Sequence, residues 1–279
     1  MKGLFITFEG TEGSGKTTQI AALAERLRSM GHTVRALREP GGTPIGEEIR
    51  HTLKHSEANR GMTPEAELLL MNASRAQLVR QVIRPALAAG EIVLCDRFYD
   101  SSLAYQGHGR GLDFKQVQGI ISFAVGRTRP DLTVLLMVPV AVSEARRRAR
   151  PAERDRMEEA DRGFFERVEK GYEAIAAAQP RRIRRLDATL PAEFVAGEIW
   201  AVVEPHLQSL CSGSPLDVEQ GAVQHLEEIE YQAVLQALRK QDFNRTHAAK
   251  ALGISRRALI YKLQRMRERG FDVNRADDL

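Results

Sequence analysis

Two cysteines in 279 residues rule out a disulfide-framed fold. Cys95 stands inside an apolar, strand-like run and Cys211 in a stretch that reads as a linker. So distant a pair offers no metal spacing and no redox motif, which suits a reducing cytoplasm. No apolar run approaches the ~20 residues that span a bilayer, so no membrane partner is expected. The given sequence enters a strand at once, so no signal peptide is expected in it. The seven histidines are scattered without pattern, and the formal net charge is only +4. What positive excess there is matters by location: Arg245, Lys250, Arg256, Arg257, Lys262, Arg265, Arg267 and Arg269 face a single acid, Glu268, between positions 243 and 270.

The most informative stretch that is present runs from Gly10 to Thr18. Gly10, Thr11, Glu12, Gly13, Ser14, Gly15, Lys16 and Thr17 fit G-x-x-x-x-G-K-[ST], followed by Thr18. Leu4 to Phe8 ahead of it reads as a buried strand. Gln19 to Met30 behind it carries apolar residues at helical spacing, with Gly31 as a stop. Strand, glycine loop and helix are the setting in which this motif binds phosphate. Glycines let backbone N–H groups converge on phosphate oxygens, and the helix N-terminus adds its dipole. Lys16 would reach the outer phosphates and the Thr17 hydroxyl would hold Mg²⁺.

Further strands are expected at Thr33–Leu37, Ile92–Cys95, Leu132–Val138 and Ile183–Asp187, with helices at Pro64–Ala89, Asp161–Ala178 and Pro191–Leu207. Five strands alternating with helices make a parallel sheet covered on both faces, an α/β phosphate-loop fold. The second strand ends in the Arg38-Glu39 pair, on the edge where such sheets bind ligands; a solvated turn is the bland alternative. The third delivers Asp96, suited to Mg²⁺, and Arg97, suited to a phosphate; the alternative is a structural ion pair. The arginine-rich run from Ala141 to Arg156, broken by Pro151, is a solvated face, a nucleic-acid patch or a mobile lid over a transferred phosphoryl group.

Gly10–Thr18, Arg38-Glu39-Pro40-Gly41-Gly42, Arg75-Ala76-Gln77, Asp96-Arg97-Phe98 and Asp100–Gly111 follow one another as in bacterial thymidylate kinases, which the first ~206 residues resemble. The resemblance implies ATP-dependent phosphorylation of dTMP to dTDP by a homodimer. It also implies roles: Arg75 at the thymine edge, Arg38 and Arg97 on the dTMP phosphate, Glu12 near the sugar 3′-hydroxyl. By the same resemblance Tyr105 would crowd the sugar 2′ position, with Gln106 beside it and Ser102 in the same motif. The family usually has Phe, stacked on thymine, where Met71 stands. Its loop here lacks the basic residue some members place within it, and such members draw a catalytic arginine from the lid. That singles out Arg150, then Arg156 and Arg154, beside Lys16 and Arg97. No general base is needed, because the acceptor is already a phosphate oxyanion.

Three parts are expected: a kinase-like domain over 1–207, a linker over 208–222 and a small all-α domain over 223–279. In the last, Leu226–Leu238 reads as an amphipathic helix, Asn244 caps Arg245–Leu252, and Ser255 caps a helix reaching Arg267. Thr246 to Leu263 resembles the Fis-type helix-turn-helix domain. The resemblance implies double-stranded DNA as a partner, with Arg256 reading bases, Asn244, Thr246 and Lys262 on phosphates, and Ser255, Arg257 and Tyr261 in the same interface. A helical cap packed on the kinase is the bland alternative. At the level of the whole chain the rival is a transcription regulator whose kinase fold senses nucleotide; a kinase for another deoxynucleoside monophosphate is a related enzyme reading.

Overall fold

The computed structural model describes residues 3–149, 156–157, 160–212, 238, 241, 244–251, 259 and 263. These fall into two compact units, Met1–Gly213 and Ser214–Leu279. In the first, β1 (Leu4–Glu9) leads into α1 (Lys16–Ser29), β2 (Val34–Arg38) and α2 (Pro44–Lys54). Then come α3 (Pro64–Leu78), α4 (Arg84–Ala88), β3 (Ile92–Asp96), α5 (Tyr99–Ser102) and α6 (Phe114–Val125). The unit closes with β4 (Leu132–Met137), α7 (Val140–Arg148), α8 (Arg162–Ala178), β5 (Ile183–Asp187) and α9 (Ala192–Ser212).

The five strands are parallel in the order β2-β3-β1-β4-β5, as the strand–helix alternation requires. Alternate residues of β1 serve opposite faces. Leu4, Ile6 and Phe8 enter the core under α1 and α9, while Phe5 enters the core shared with α3, α6 and α8. Both phenylalanines are fully buried, each contributing about 2–3 kcal/mol from lost apolar exposure. Successive strands are added on one side of β1 and then on the other, so its C-terminal end and those of β3 and β4 open one crevice. Register places Phe8 and Arg38 level with Asp96 there.

The expected helix over Pro64–Ala89 is interrupted: a π-turn over Val79–Ile83 separates α3 from α4. Pro85, in the first turn of α4, has no N–H to give and its ring crowds the carbonyl four residues back, so the turn widens. Three helices, α2, α5 and α6, answer to no expected element. In α2, Thr43 accepts a hydrogen bond from the Gly46 N–H and Pro44 opens the first turn, a legible start signal. In α6, Asp113 caps the Gln116 N–H. The last helix also runs on to Ser212, into the stretch read as linker, because Leu210 still packs against the α1–α9 core.

In the second unit, α10 (Arg245–Ala251) starts at Asn244, whose Oδ1 accepts from the Thr246 and His247 N–H groups at 3.1 and 3.2 Å. Leu238, Ala248, Ala249, Leu259 and Leu263 are buried. The expected Leu226–Leu238 helix and the helix capped by Ser255 lie outside the described residues, apart from Leu238, Leu259 and Leu263. No helix among the described residues is long and apolar enough to cross a membrane.

Candidate active site

The phosphate loop leaves β1 at Gly10, with φ 134°. A Cβ there would stand 2.2 Å from the Leu136 carbonyl oxygen, so only glycine lets the loop pass β4. Lys16 curls back over its own loop, donating to the carbonyls of Gly10 and Thr11 at 3.1 and 2.9 Å and to Ser14 Oγ at 3.3 Å. Burial, together with the Arg97 charge, holds Lys16 down at about 8. Thr17 and Thr18 remain exposed at the start of α1, and the Thr17 hydroxyl donates to Asp96 Oδ2.

Arg97 ties the loop to the neighbouring cleft. Its backbone is left-handed, φ 71°, unusual for a side chain with a Cβ and costing about 1–3 kcal/mol. The compensation is a dense set of hydrogen bonds. Nη1 donates to the Gly10 carbonyl, Ser101 Oγ and Tyr172 Oη, and Nη2 donates to Glu12 Oε1 and Tyr105 Oη. The Tyr105 hydroxyl donates to Glu12 Oε2 at 2.6 Å. Burial alone would raise Glu12, but the charges of Arg97 and Lys16 and the Tyr105 hydrogen bond hold it at about 2.

One cleft is lined by Glu12, Met71, Arg75, Arg97, Ser102, Tyr105 and Gln106, together with Glu39, Lys54 and Met157. Spacing of four places Met71 and Arg75 on one face of α3. Arg75, almost fully buried, donates through Nε to Glu39 Oε2, through Nη1 to Asn72 Oδ1 and Ser102 Oγ, and through Nη2 to the Phe98 carbonyl. Its fork is therefore fixed in direction before any ligand arrives. Burial outweighs the pull of Arg75 and brings Glu39 up to about 7.

Two expected residues are placed elsewhere. Arg38 is over half exposed and pairs with Glu47 Oε2 at 2.9 Å, outside the cleft. Arg156 pairs with buried Glu67 of α3. Arg150 and Arg154 lie outside the described residues, as do Ser255, Arg256, Arg257, Tyr261 and Lys262. Asn244 and Thr246 are exposed, and Asn244 is engaged as the α10 cap.

Several participants were not picked out from sequence. Glu9, fully buried at the end of β1, accepts from the Phe98 N–H, from Ser101 N–H and Oγ, and from Tyr172 Oη. Burial, with Asp100 adding to it, raises its carboxyl above the usual range. An acid ending an apolar strand was the available signal, the same one that marked Asp96. Arg146 donates to the Gly13 carbonyl at 3.1 Å and to the Ala188 carbonyl at 3.0 Å, bracing the phosphate loop from α7. Arg147 packs over the Phe165 ring. The arginine run thus begins as part of the fold.

A glycine loop at the switch point of a parallel sheet, next to a buried cleft rich in guanidinium groups, defines a phosphate-loop nucleotide-binding protein with a second ligand site. The thymidylate kinase family profile matches residues 8–199. The chain is 54% identical to a thymidylate kinase of Thermomicrobium roseum over 71% of its length and 93% of the relative's. It is 50% identical to one of Deinococcus radiodurans, over 72% and 97%. A crystal structure of thymidylate kinase from Ehrlichia chaffeensis superposes with a TM-score of 0.59 at 33% identity, covering 73% of this chain and 99% of that one. The chain belongs to the thymidylate kinase family. Residues 225–266 match the profile of the bacterial regulatory protein Fis family, which none of the kinase similarity requires.

Proposed function

We propose that the chain phosphorylates dTMP to dTDP with ATP and carries a DNA-binding module at its C-terminus. The observation that carries the kinase reading is Arg97, which lines the monophosphate cleft while donating to the phosphate-loop carbonyl of Gly10 and to Glu12. One guanidinium thus reaches the place where the two phosphate chains must meet. An oxygen of the dTMP phosphate attacks the γ-phosphorus of ATP, and the bond to the bridging oxygen breaks to release ADP. The chain's own part is positioning and charge neutralisation. Lys16 unfolds from its loop carbonyls onto the outer phosphates. Arg75 offers its remaining N–H to the base edge, Met71 packs on the base, and Tyr105 fills the space beside C2′. Gln106 and Ser102 line the same cleft, and Glu12 faces the sugar.

Thr17 Oγ1 and the Asp96 carboxylate are hard oxygen donors converging on the mouth of the loop, a set that fits Mg²⁺ supported by nucleotide phosphates. When bound, the ion neutralises charge on the β- and γ-phosphates. We further propose the domain boundaries 1–207, 208–222 and 223–279, and a homodimer, which two-fold DNA half-sites would suit. Leu69 and Phe123, 55% and 84% exposed on the packed helices α3 and α6, support an apolar subunit face.

The reading is tested by offering the full chain and ATP a panel of nucleoside and deoxynucleoside monophosphates. dTMP should have the highest kcat/KM; a different preferred acceptor would replace the substrate assignment.

A further inference from the structure

Glu67 is a buried carboxylate that the phosphoryl-transfer chemistry does not use. It sits on α3 one turn before Met71, which is one turn before Arg75, so the three share one face of the helix. Its side chain is fully shielded from solvent, yet it is ionised: burial opposes the charge, and Gln106, Arg110 and Arg156 outweigh it, keeping the carboxyl below its usual value. Gln106 Nε2 donates to Oε1 at 2.8 Å and Arg110 Nη2 to Oε2 at 3.0 Å, and Arg156 Nη2 closes on the same Oε2. Arg156 is far from α3 in sequence and only 14% exposed. Its neighbour, Met157, is 7% exposed and lines the cleft together with Met71, which is 8% exposed.

We propose that Met157 is a specificity-determining wall of the base pocket, paired with Met71 as a second thioether, and that Glu67 is the positioning residue that seats it through Arg156. This rests on the dTMP reading of the cleft. Thioethers are polarisable and pack on aromatic rings. Two of them, one rooted in α3 and one pinned to α3 through an ion pair, give a planar base a surface on two sides where Met71 alone gives one. The pin holds because both partners are desolvated. Removing Glu67 leaves the Arg156 guanidinium buried without its counterpart, which loss of a surface pair would not. Arg110 and Gln106 fix the carboxylate independently of Arg156, so Arg156 meets an acceptor already held in direction. The result is a base pocket whose second wall comes from outside the helices that form the first.

The test compares Met157→Ala, Met157→Leu, Glu67→Gln and the double variant Glu67→Gln/Met157→Ala, with dTMP and ATP varied separately. Met157→Ala should raise KM for dTMP about tenfold, the scale of losing a few apolar atoms from a ligand pocket, with KM for ATP unmoved. Met157→Leu, close in volume, should restore most of the loss. Glu67→Gln should raise KM for dTMP similarly, and in the Met157→Ala background it should add nothing further. A wild-type KM in Met157→Ala overturns the proposal while leaving the kinase reading intact. Multiplicative effects in the double variant, or a matching rise in KM for ATP, would give Glu67 a purely structural role and overturn its part. Absence of any monophosphate turnover by the unaltered chain would remove both readings.

Discussion

The Thr17 hydroxyl donates a 3.0 Å hydrogen bond to Asp96 Oδ2, joining the start of α1 to the end of β3. Both oxygens face the mouth of the phosphate loop, and neither is consumed by the core. Asp96→Asn removes the charge and keeps the shape. It should raise the Mg²⁺ concentration for half-maximal turnover about 10–100-fold, with little change in melting temperature. A Mg²⁺ titration of wild type and variant at fixed ATP and dTMP reads this directly; superimposable curves would take Asp96 out of the metal site.

Lys16 gives a pH dependence with a defined sign. Its folded-state pKa, about 8, lies below the ordinary 10.5, because burial penalises the charged form. Phosphate binding needs that charge. In the free enzyme kcat/KM for ATP should therefore fall as pH rises through about 8, approaching tenfold per unit. Bound phosphates favour the protonated lysine, so kcat at saturating ATP should bend at higher pH. Stability moves the other way: between about 8 and 10.5 the unfolded chain holds the more protons, and the Lys16 contribution improves as pH rises. A kcat/KM profile flat to about pH 9.5 would contradict the buried, shifted lysine.

Met71→Phe restores an aromatic face at the base position. Stacking beyond area burial is worth about 0.5–1.5 kcal/mol, so KM for dTMP should fall about two- to tenfold with kcat nearly unchanged. Steady-state kinetics with varied dTMP check this. A rise in KM would mean that the larger ring does not fit between Met71's neighbours and Met157.

For the C-terminal module, duplex DNA binding by the full chain should weaken linearly with the logarithm of salt concentration. Lys262→Ala should reduce the slope by about 1, and Arg256→Ala should cost about 1–3 kcal/mol and relax preference at one base. Fluorescence anisotropy over a salt series measures both. Binding that is absent at low salt would leave residues 225–266 without a DNA role.

How far the molecule could be read from its sequence depended on distance along the chain. The phosphate loop was legible because strand, glycines and helix lie within one short stretch and each residue type answers a local backbone or phosphate demand. The parallel sheet followed from apolar strands alternating with helices. The Met71–Arg75 face followed from helical spacing. Arg38 pairs with Glu47 of α2, a partner that the strand pattern around Arg38 does not reveal. Glu67 with Arg156, and Arg146 with the Gly13 carbonyl, join positions 89 and 133 residues apart. No periodicity encodes such partners; only the packing of α3, α7 and the sheet brings them together. The π-turn before Pro85 lay between these extremes, with its cause visible in sequence and its form set by tertiary packing.

Phosphoryl transfer from ATP to dTMP is assigned to the junction that Lys16 and Arg97 share. The measurement that meets it most directly is dTDP formation by the purified full chain, beside Lys16→Ala shown by circular dichroism to be folded. Turnover in the wild type that vanishes in Lys16→Ala is the expected result. A folded wild-type chain that binds ATP and dTMP yet forms no dTDP would contradict it.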